Sequence, residues 1–594
     1  MPSYTAPLRD MRFVYHELFD AGDITALPGC EDATADLVDP VLDEAARLAE
    51  NELFPLNHSG DREGCRYLDG AVTTPAGFKA AYEQYAQGGW IGLACDPQYG
   101  GQGMPATLNV LLEEMACSAN VSFATYIGLT RGAYRAIRAF ASEVLKDRYL
   151  PKMVSGEWSG TMCLTEPQCG TDLGLIRARA EPAENDGYRI SGTKIFITAG
   201  EHDLTTNIIH LVLARLPGAP AGIKGISLFL VPKFLPTEDG EPGERNPVTC
   251  AGIEDKMGIK ASATCVINLD GAMGWLVGEP HKGMRAMFTM MNEARLGVGI
   301  QGLGLGVSAY QAAVDYARER QQGRALGGTQ YPEQPADPIM VHPDIRRMLL
   351  TMRAFTEGAR ALTTWIARQI DVRDHSEDPQ ARKEADDLVQ LLTPLVKSYL
   401  SEVGHDVAQM AVQVYGGHGY IRDNGVEQYA RDARIAMIYE GANGIQALDL
   451  VGRKLPAHTG RYLRRFFHPV QAWIDANTAD QALQPFVLPL AKAFGRLQLA
   501  TGQVAQAGLK DPNEAGAASS EYLKLFALVA LAFLWARMAK IALAKREGDD
   551  SGFYDAKLMT ARFFVERVLP QSGSLFATIM AGGNTMMSFP DEAF

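Results

Sequence analysis

The spacing of hydrophobic and polar side chains changes along the chain and divides it into zones. Between about 35 and 155, apolar residues recur at every third or fourth position, as in Leu108–Ala116 shortly after Pro105, and this spacing predicts helices. Between about 160 and 275, short apolar runs such as Ile208–Ala214 and Ile226–Val231 predict strands. Helical spacing returns near 280 and continues to the last residue.

This pattern predicts an α+β protein in which helical domains flank a central β-domain. Clusters of Pro, Gly and Ser predict linkers at Pro456–Gly460 and Gly508–Ser520, and the Pro-rich tract Gln321–Pro343 joins two helices. The expected divisions are an N-terminal extension over 1–35, an N-terminal helical domain over 36–158, the β-domain over 159–278, a helical bundle over 279–458 and an additional C-terminal helical domain over 459–594.

The most apolar stretch of the chain is Leu525–Ala536, and basic residues follow it. A bilayer takes about 20 apolar residues to cross, so this run is too short to span one. It is apolar on nearly every side, which favours a helix buried in a terminal bundle. The alternative is a basic amphipathic helix in weak contact with a membrane surface.

Charge and cysteine content exclude several classes of function. The 70 acidic and 56 basic side chains leave a net charge of −14, which argues against nucleic acid as a partner because phosphates are bound by clustered Lys and Arg. The 8 cysteines form no C-x-x-C pair and have no suitably placed His, so we predict no metal site. Scattered thiols and an N-terminus unlike a signal peptide predict a cytoplasmic protein.

A glycine-rich stretch, Gly299–Gly306, is similar to a dinucleotide-binding fingerprint but does not satisfy it. The position of the third glycine is occupied by Val307, and the stretch lies within a helical pattern rather than between a strand and a helix. These glycines predict either a close helix crossing or a close approach to a bound ligand.

The tract Met162–Asp172 is a candidate anion site. Gly170 lacks a Cβ, so backbone amides there can approach an anion such as a pyrophosphate, and Thr165 and Thr171 add hydroxyl groups. An ordinary capped loop is the alternative interpretation of this tract.

A second candidate is the predicted strand Lys194–Thr198. Alternation along a strand places Phe196 and Thr198 on one face. A flat aromatic side chain beside a hydroxyl suits a planar heteroaromatic ring that also needs a hydrogen bond. Taken alone, such a pair is more often part of a core.

The strongest candidate is Glu440 in the segment Ile438–Gln446, which follows a glycine-rich tract, Gln413–Tyr420. This glutamate has apolar and glycine neighbours instead of lying on a charged face. A carboxylate in such surroundings tends to have a raised pKa, which suits a general base that acts on a weak carbon acid. A solvated loop glutamate is the alternative.

Together these tracts resemble the acyl-CoA dehydrogenase family of flavoenzymes over about Asp36–Lys454. The motifs are T-E-P-x-x-G-T-D, K-x-F-I-T, G-G-x-G and I-Y-E-G, and their order and spacing agree with the family throughout. The additional C-terminal domain and the opening Tyr4–Phe13 are similar to a narrower branch of bacterial long-chain and 3-methylmercaptopropionyl-CoA dehydrogenases. The resemblance implies the acyl-CoA dehydrogenase-like fold with a central β-barrel-like domain, and one non-covalent FAD per subunit.

The resemblance assigns three groups of residues to FAD: one at the flavin ring, one near the pyrophosphate and one that reaches the FAD of a neighbouring subunit. The first group is Leu164, Thr165, Phe196 and Thr198, the second is Gly170 and Thr171, and the third is Arg320, Gln413 and Gly417. One flavin site would then use two chains. Because the additional domain is expected to cover the surface that shorter relatives use for tetramer contacts, we predict a homodimer.

The resemblance also implies the reaction, an α,β-desaturation of an acyl-CoA thioester. Glu440 would remove the α-proton while the β-hydrogen leaves as hydride, and the electrons would pass to an electron-transfer flavoprotein. Arg295 is expected near the base and Tyr439 in the substrate pocket. Some relatives carry the base in the tract equivalent to Met291–Arg295, which makes Glu293 the alternative base.

The expected pocket floor, Phe123–Gly128, bears on the acyl chain. Ala124 and Gly128 stand where medium-chain relatives have larger groups, which predicts a deep tunnel for medium-to-long chains of fatty acid β-oxidation unless Tyr126 closes it. The alternative substrate is the short thioester 3-(methylthio)propanoyl-CoA. Remoter alternatives are an acyl-CoA oxidase and a DNA-binding alkylation-response relative, whose basic terminal domain has only the Arg461–Arg465 cluster as a counterpart here.

The chain departs from the family pattern in two places. After Arg320 the family usually has an aromatic residue before glycine, which is missing from Arg320–Arg324. Many members also have Thr and Gln where this chain has Ala442 and Gly444. Both departures fall on the side of the predicted site that faces the adenine.

Overall fold

A computed structural model describes residues 2–594 of the protein. The chain forms two compact units. The bundle unit comprises the chain up to Ala46, together with Pro105–Glu114 and Val298–Phe594, and the sheet unit comprises Arg47–Met104 and Met115–Gly297.

Helices fill the zones in which the sequence shows helical spacing, and strands fill the zone between them, which confirms the α+β class. The helices are α1 (Leu8–Arg12), α2 (Ala21–Thr25), α3 (Ala35–Leu48), α4 (Pro55–Glu63), α5 (Phe78–Gln87), α6 (Ala106–Phe140), α7 (Glu143–Val154), α8 (Gly283–Glu319), α9 (Pro343–His375), α10 (Pro379–Leu395), α11 (Ser401–Tyr415), α12 (Glu427–Arg434), α13 (Asn443–Asp449), α14 (Arg461–Asn477), α15 (Gln484–Lys510), α16 (Pro512–Lys545), α17 (Phe553–Phe563), α18 (Gln571–Ala581) and α19 (Asn584–Met587). The strands are β1 (Arg66–Leu68), β2 (Ala71–Thr73), β3 (Trp158–Cys163), β4 (Arg179–Pro182), β5 (Gly187–Thr198), β6 (Asn207–Arg215), β7 (Ile226–Pro232), β8 (Phe234–Pro236), β9 (Pro242–Arg245), β10 (Val248–Ile253) and β11 (Thr264–Val277).

The main sheet of the sheet unit closes on itself. Its order is β10-β11-β5-β4-β6-β3, and β7 pairs with both β6 and β11, so that β11, β5, β4, β6 and β7 form a ring. Closure leaves β10 and β3 as the ends of the hydrogen-bonded path. The ring is the β-barrel-like domain that the sequence predicts.

Strand β6 is buried on both faces, which explains its continuous apolar sequence. Val212 packs in one core with Phe229, whereas Leu211 packs in a second core with Tyr149 of α7 and Met287 of α8. The sheet therefore separates two hydrophobic cores within the sheet unit.

Helix α16 contains the most apolar run of the chain. It is long and apolar enough to cross a membrane, but 83% of its apolar window is buried inside the protein. Trp535 Nε1 donates a hydrogen bond to the carbonyl of Ala354 on α9 at 3.3 Å. The run is thus a core helix of the bundle unit, as the apolar character on all its sides favours.

The predicted linker at Gly508–Ser520 is wrong. Helix α15 continues to Lys510 and α16 begins at Pro512, so only Asp511 separates them. The Asp511 carboxylate accepts the backbone N–H of Asn513 at 2.9 Å and caps α16, with proline at the first helical position. The glycines near this junction lie inside helices.

The glycine-rich stretch of α8 allows a close helix crossing. A Cβ at Gly302 would lie 2.3 Å from the carbonyl oxygen of Leu400, and one at Gly404 would lie 2.3 Å from the carbonyl oxygen of Gly302. Only glycine fits where the two backbones touch. The helix-crossing interpretation of this stretch is therefore confirmed.

Candidate functional site

The loop Leu164–Asp172 in the sheet unit is folded around a buried carboxylate, that of Glu166. This carboxylate accepts the backbone N–H groups of Arg177 at 2.6 Å and Ala178 at 3.0 Å, and the ammonium of Lys194 at 2.8 Å. Burial raises the pKa of Glu166, but the Lys194 charge and the hydrogen bonds outweigh burial and lower the pKa below its usual value. The carboxylate therefore stays ionised and holds the loop.

Lys194 connects this loop to β5. Its ammonium is fully buried and also donates to the carbonyl of Leu164 at 3.0 Å, while the backbone N–H of Ile195 donates to the carbonyl of Thr165 at 2.9 Å. Neither Glu166 nor Lys194 is among the residues predicted from the sequence. The available signal was a charged residue beside apolar ones in each motif, since a charge is buried in a core only when it is paired.

Phe196 lies at a β-bulge and is held open to solvent. Two residues of β5, Ile195 and Phe196, lie opposite Val266 of β11, and Phe196 has φ +58°. Its side chain is 59% exposed, whereas Ile197 is buried. A strained, exposed aromatic residue within a sheet is typical of a ligand contact, since packing does not account for it.

The other sheet-unit residues assigned to FAD lie in the same loop and strand. Leu164 is buried, Thr165 and Thr198 are half-buried, and Gly170 and Thr171 are exposed. Together with Phe196 they offer an aromatic face, three hydroxyl groups and an open glycine, which fits a planar ring joined to a phosphate group. All six residues lie on this loop and on β5, to which Lys194 and Glu166 join it.

The expected pocket floor is partly open along α6. Ala124 and Gly128 are half-buried in an otherwise buried stretch, and a Cβ at Gly128 would meet no atom within 4 Å. Tyr126 is fully buried and turned to the backbone: its hydroxyl donates to the carbonyl of Ala261 at 3.1 Å and accepts from the N–H of Ala263 at 2.9 Å. These two hydrogen bonds fix the Tyr126 side chain, so it does not cover the face of α6 that carries Ala124 and Gly128.

Glu293, the alternative base, is held by two cations. Its carboxylate lies 3.2 Å from Arg135 Nε and 3.7 Å from Arg131 Nε, on the buried side of α6. Arg295 is buried nearby on α8, donates to Asn292 Oδ1 at 3.3 Å and lies 5.7 Å from the ring centre of Phe288. Both ion pairs engage the Glu293 carboxylate within the sheet unit.

Glu440 lies in the bundle unit, on a turn between a 3₁₀ turn at Ile435–Met437 and α13. Its φ of +56° is left-handed, and its side chain is partly accessible. The hydroxyl of the preceding Tyr439 bonds Gln301 Oε1 on α8. This pair holds the turn against α8.

Arg320, Gln413 and Gly417, predicted to reach a neighbouring FAD, are all exposed in the bundle unit. The rings of Tyr316 and Tyr415 stack with centres 4.1 Å apart and join the end of α8 to the end of α11. The three residues accordingly lie at adjacent helix ends. In the described chain, residues 2–594, no cluster of three metal-ligating side chains is found.

Arginines of the basic cluster Arg461–Arg465 form ion pairs with carboxylates of the bundle unit. Arg461 makes a two-pronged contact with Asp387 at 2.6 and 2.8 Å, and Arg465 lies 2.9 Å from Glu384. These guanidinium groups anchor α14 to α10, so they are engaged within the protein instead of facing solvent as a phosphate-binding patch.

Family models agree with this architecture. Models of the acyl-CoA dehydrogenase N-terminal, middle and C-terminal domains match residues 39–157, 161–272 and 281–455, and an acetyl-CoA dehydrogenase C-terminal-like model matches 466–590. A crystal structure of an acyl-CoA dehydrogenase from Bacillus anthracis complexed with FAD has a TM-score of 0.75 at 22% identity, over 98% of this chain and 94% of that one. At that identity, the likeness shows the fold.

The relatives that match over nearly their whole length include two bacterial enzymes. The chain is 33% identical to the broad-specificity linear acyl-CoA dehydrogenase FadE5 of Mycobacterium tuberculosis over 100% of both chains. It is 41% identical to the 3-methylmercaptopropionyl-CoA dehydrogenase of Ruegeria pomeroyi over 99% of both chains. The protein therefore belongs to the acyl-CoA dehydrogenase family, FAD-binding oxidoreductases that act on CH–CH bonds.

Proposed function

We propose that the protein dehydrogenates 3-(methylthio)propanoyl-CoA at its α,β carbon–carbon bond, with Glu440 as the base. The observation that carries this proposal is the 41% identity to the Ruegeria pomeroyi enzyme, which extends over 99% of both chains, including the additional C-terminal domain. This relative favours the short methylthio thioester over the medium-to-long chains that the pocket floor predicts.

The residues of this chain have separate tasks in the proposed reaction. Glu440 takes the α-proton, and its backbone N–H polarises the thioester carbonyl so that the α-carbon becomes acidic enough to lose that proton. Phe196, Thr198 and the loop around Glu166 bind and orient FAD, which supplies the hydride acceptor when bound. The family resemblance assigns Arg295 to the substrate pocket near the base.

A second candidate substrate class is the straight-chain acyl-CoA. FadE5 is a broad-specificity linear acyl-CoA dehydrogenase, and it matches this protein over its full length. Ala124 and Gly128 leave α6 open, and Tyr126 is held away by the backbone of Ala261 and Ala263. An open face of α6 would accept a longer acyl chain at little steric cost.

A substrate panel separates the two candidates. We would measure kcat/KM for 3-(methylthio)propanoyl-CoA and for butyryl-, octanoyl- and palmitoyl-CoA, with an artificial electron acceptor at a fixed concentration. We expect kcat/KM for the methylthio thioester to exceed kcat/KM for octanoyl-CoA by at least about tenfold, which is the scale on which one pocket distinguishes chain lengths. A higher value for octanoyl- or palmitoyl-CoA would make the straight-chain class the substrate.

The electron acceptor and the cellular setting are part of the proposal. We assign an electron-transfer flavoprotein as the acceptor, so turnover in air without it should yield little hydrogen peroxide; rapid peroxide formation would indicate an oxidase. All eight cysteines, Cys30, Cys65, Cys95, Cys117, Cys163, Cys169, Cys250 and Cys265, are free thiols in the described chain, which supports a reducing compartment such as the cytoplasm.

A further inference from the structure

The peptide that carries Glu440 is in an unfavourable conformation. Glu440 has φ +56° and Gly441 has φ +89°, so two consecutive residues are left-handed. Glycine adopts this conformation freely, whereas a glutamate does not. Such strain persists only where neighbouring groups fix the backbone. The groups that do so determine where the carboxylate is held.

One side chain bonds the strained peptide itself. Gln446, in the first turns of α13, is fully buried, and its Nε2 lies 3.3 Å from the carbonyl oxygen of Glu440 and 3.3 Å from that of Gly441. Its Oε1 has no hydrogen-bond partner within residues 2–594. The opposite orientation of the amide would place Oε1 against two carbonyl oxygens, so the chemistry fixes the amide with its N–H groups toward the turn.

Two further side chains anchor the turn at residues beside Glu440. Tyr439 bonds Gln301, and Asn443 bonds the carbonyl of Ser398 at 3.1 Å and Lys397 Nζ at 3.0 Å. Ala442 occupies the N-cap position of α13 and makes no side-chain cap, where many family members have Thr. No side-chain cap therefore orders the start of α13, and Gln446 donates to the carbonyls of Glu440 and Gly441 from inside the helix.

We propose that Gln446 is a positioning residue that fixes the left-handed conformation of Glu440 and so aims its carboxylate. This inference rests on the proposed role of Glu440 as the base. Gln446 binds neither proton nor substrate; it acts through the two carbonyls at the turn. Without its N–H groups the turn relaxes toward right-handed φ values, and the carboxylate moves away from its position.

The test compares Gln446→Met, which keeps the length of the side chain and removes the donor, with Gln446→Asn, whose shorter amide cannot reach both carbonyls. Either variant should lower kcat by about 10- to 100-fold, the effect of a misplacement near 1 Å, and change KM less than about threefold. FAD content and the visible flavin spectrum should stay unchanged. The matched control is Gln498→Met on the exposed face of α15, which should behave as the wild type.

A double variant distinguishes positioning from a general structural role. If Gln446 acts through Glu440, Gln446→Met should lower the residual rate of Glu440→Gln far less than it lowers the wild-type rate, since the carboxylate it aims is gone. Losses that multiply, or a wild-type kcat in both Gln446 variants, would overturn the inference. If Glu440→Gln itself retains full turnover, the proposed base is wrong; if only the Gln446 variants are neutral, the base stands and the positioning role fails.

Discussion

Lys194 and Glu166 form a buried ion pair, with the ammonium 2.8 Å from the carboxylate, that joins the strand of Phe196 to the loop of Thr165. Neither residue is placed by the family resemblance on the flavin, yet the pair fixes the two FAD-binding motifs relative to each other within the sheet unit. Removal of one partner leaves the other charge buried and uncompensated, which costs about 3–5 kcal/mol.

We therefore expect Lys194→Met to weaken FAD binding by at least about tenfold. The unpaired Glu166 carboxylate would have to move out to solvent, and the loop around it would lose its structure. The measurement is a titration of the apoprotein with FAD, followed by flavin fluorescence. Lys233→Met is the matched control, since Lys233 forms an ion pair with the buried Glu201 of the same unit and not with Glu166 of the FAD-binding loop. Equal FAD affinity in Lys194→Met and Lys233→Met would contradict the prediction.

Glu440→Gln tests the base. The amide keeps the size and left-handed backbone of Glu440 but cannot accept the α-proton, so we expect FAD and thioester to bind while turnover falls by at least about a thousandfold. Single-turnover bleaching of the flavin by substrate measures the loss. Glu547→Gln, at an exposed glutamate, is the control. Bleaching near the wild-type rate in Glu440→Gln would point to another base.

The helices and the β-domain could be predicted from the sequence, and short motifs singled out candidate ligand-binding residues, but the residues that support those motifs could not be predicted. Phe196 and Glu440 stand in short motifs, and their exposure on strained backbone agrees with their predicted roles. Glu166 and Gln446 act through backbone groups of other residues, such as the Ala178 N–H and the Glu440 carbonyl, which no spacing rule reveals. The linker error at Gly508–Ser520 arose because glycines outweighed the helix-start signal of Asp511 and Pro512.

A buried ionic cluster joins the N-terminal extension to the additional C-terminal domain, both within the bundle unit. Lys557 of α17 contacts Asp10 of α1 and lies 2.5 Å from Glu357, and Arg360 binds Asp10 and Glu114. We expect Lys557→Met to lower the free energy of unfolding by about 3 kcal/mol, because two buried carboxylates lose a cation. Urea unfolding measures it, with Lys510→Met, at an exposed position, as the control. A change within error of that control would contradict the prediction.

Asp337 organises the loop between Arg320 and α9. Burial raises its pKa, but the N–H groups of Ala325, Tyr331 and Gln330 and the Arg324 guanidinium lower it to about 2. A lowered pKa contributes stability that is present above the ordinary aspartate value and is lost as the pH falls through about 2. The loop should therefore stay folded down to about pH 3. In Asp337→Ala the loop should loosen, so that trypsin cleaves after Arg324 at neutral pH.

Limited trypsin digestion followed by mass spectrometry measures cleavage after Arg324. Glu333→Ala, an exposed carboxylate of the same loop, is the control and should leave the cleavage rate unchanged. Cleavage of Asp337→Ala at the wild-type rate would show that the loop does not depend on this carboxylate.

The exposure of Arg320 at the end of α8 makes the predicted homodimer testable through its shared site. If Arg320 serves the FAD of the partner chain, Arg320→Met and Glu440→Gln are each inactive alone but complement each other when mixed. A 1:1 mixture refolded together should recover about a quarter of the wild-type rate, since half of the dimers are mixed and each mixed dimer has one intact site. The Glu440→Gln variant refolded alone is the control. No recovery, with light scattering showing dimers, would place Arg320 and Glu440 in one chain's site, and a tetramer would contradict the homodimer.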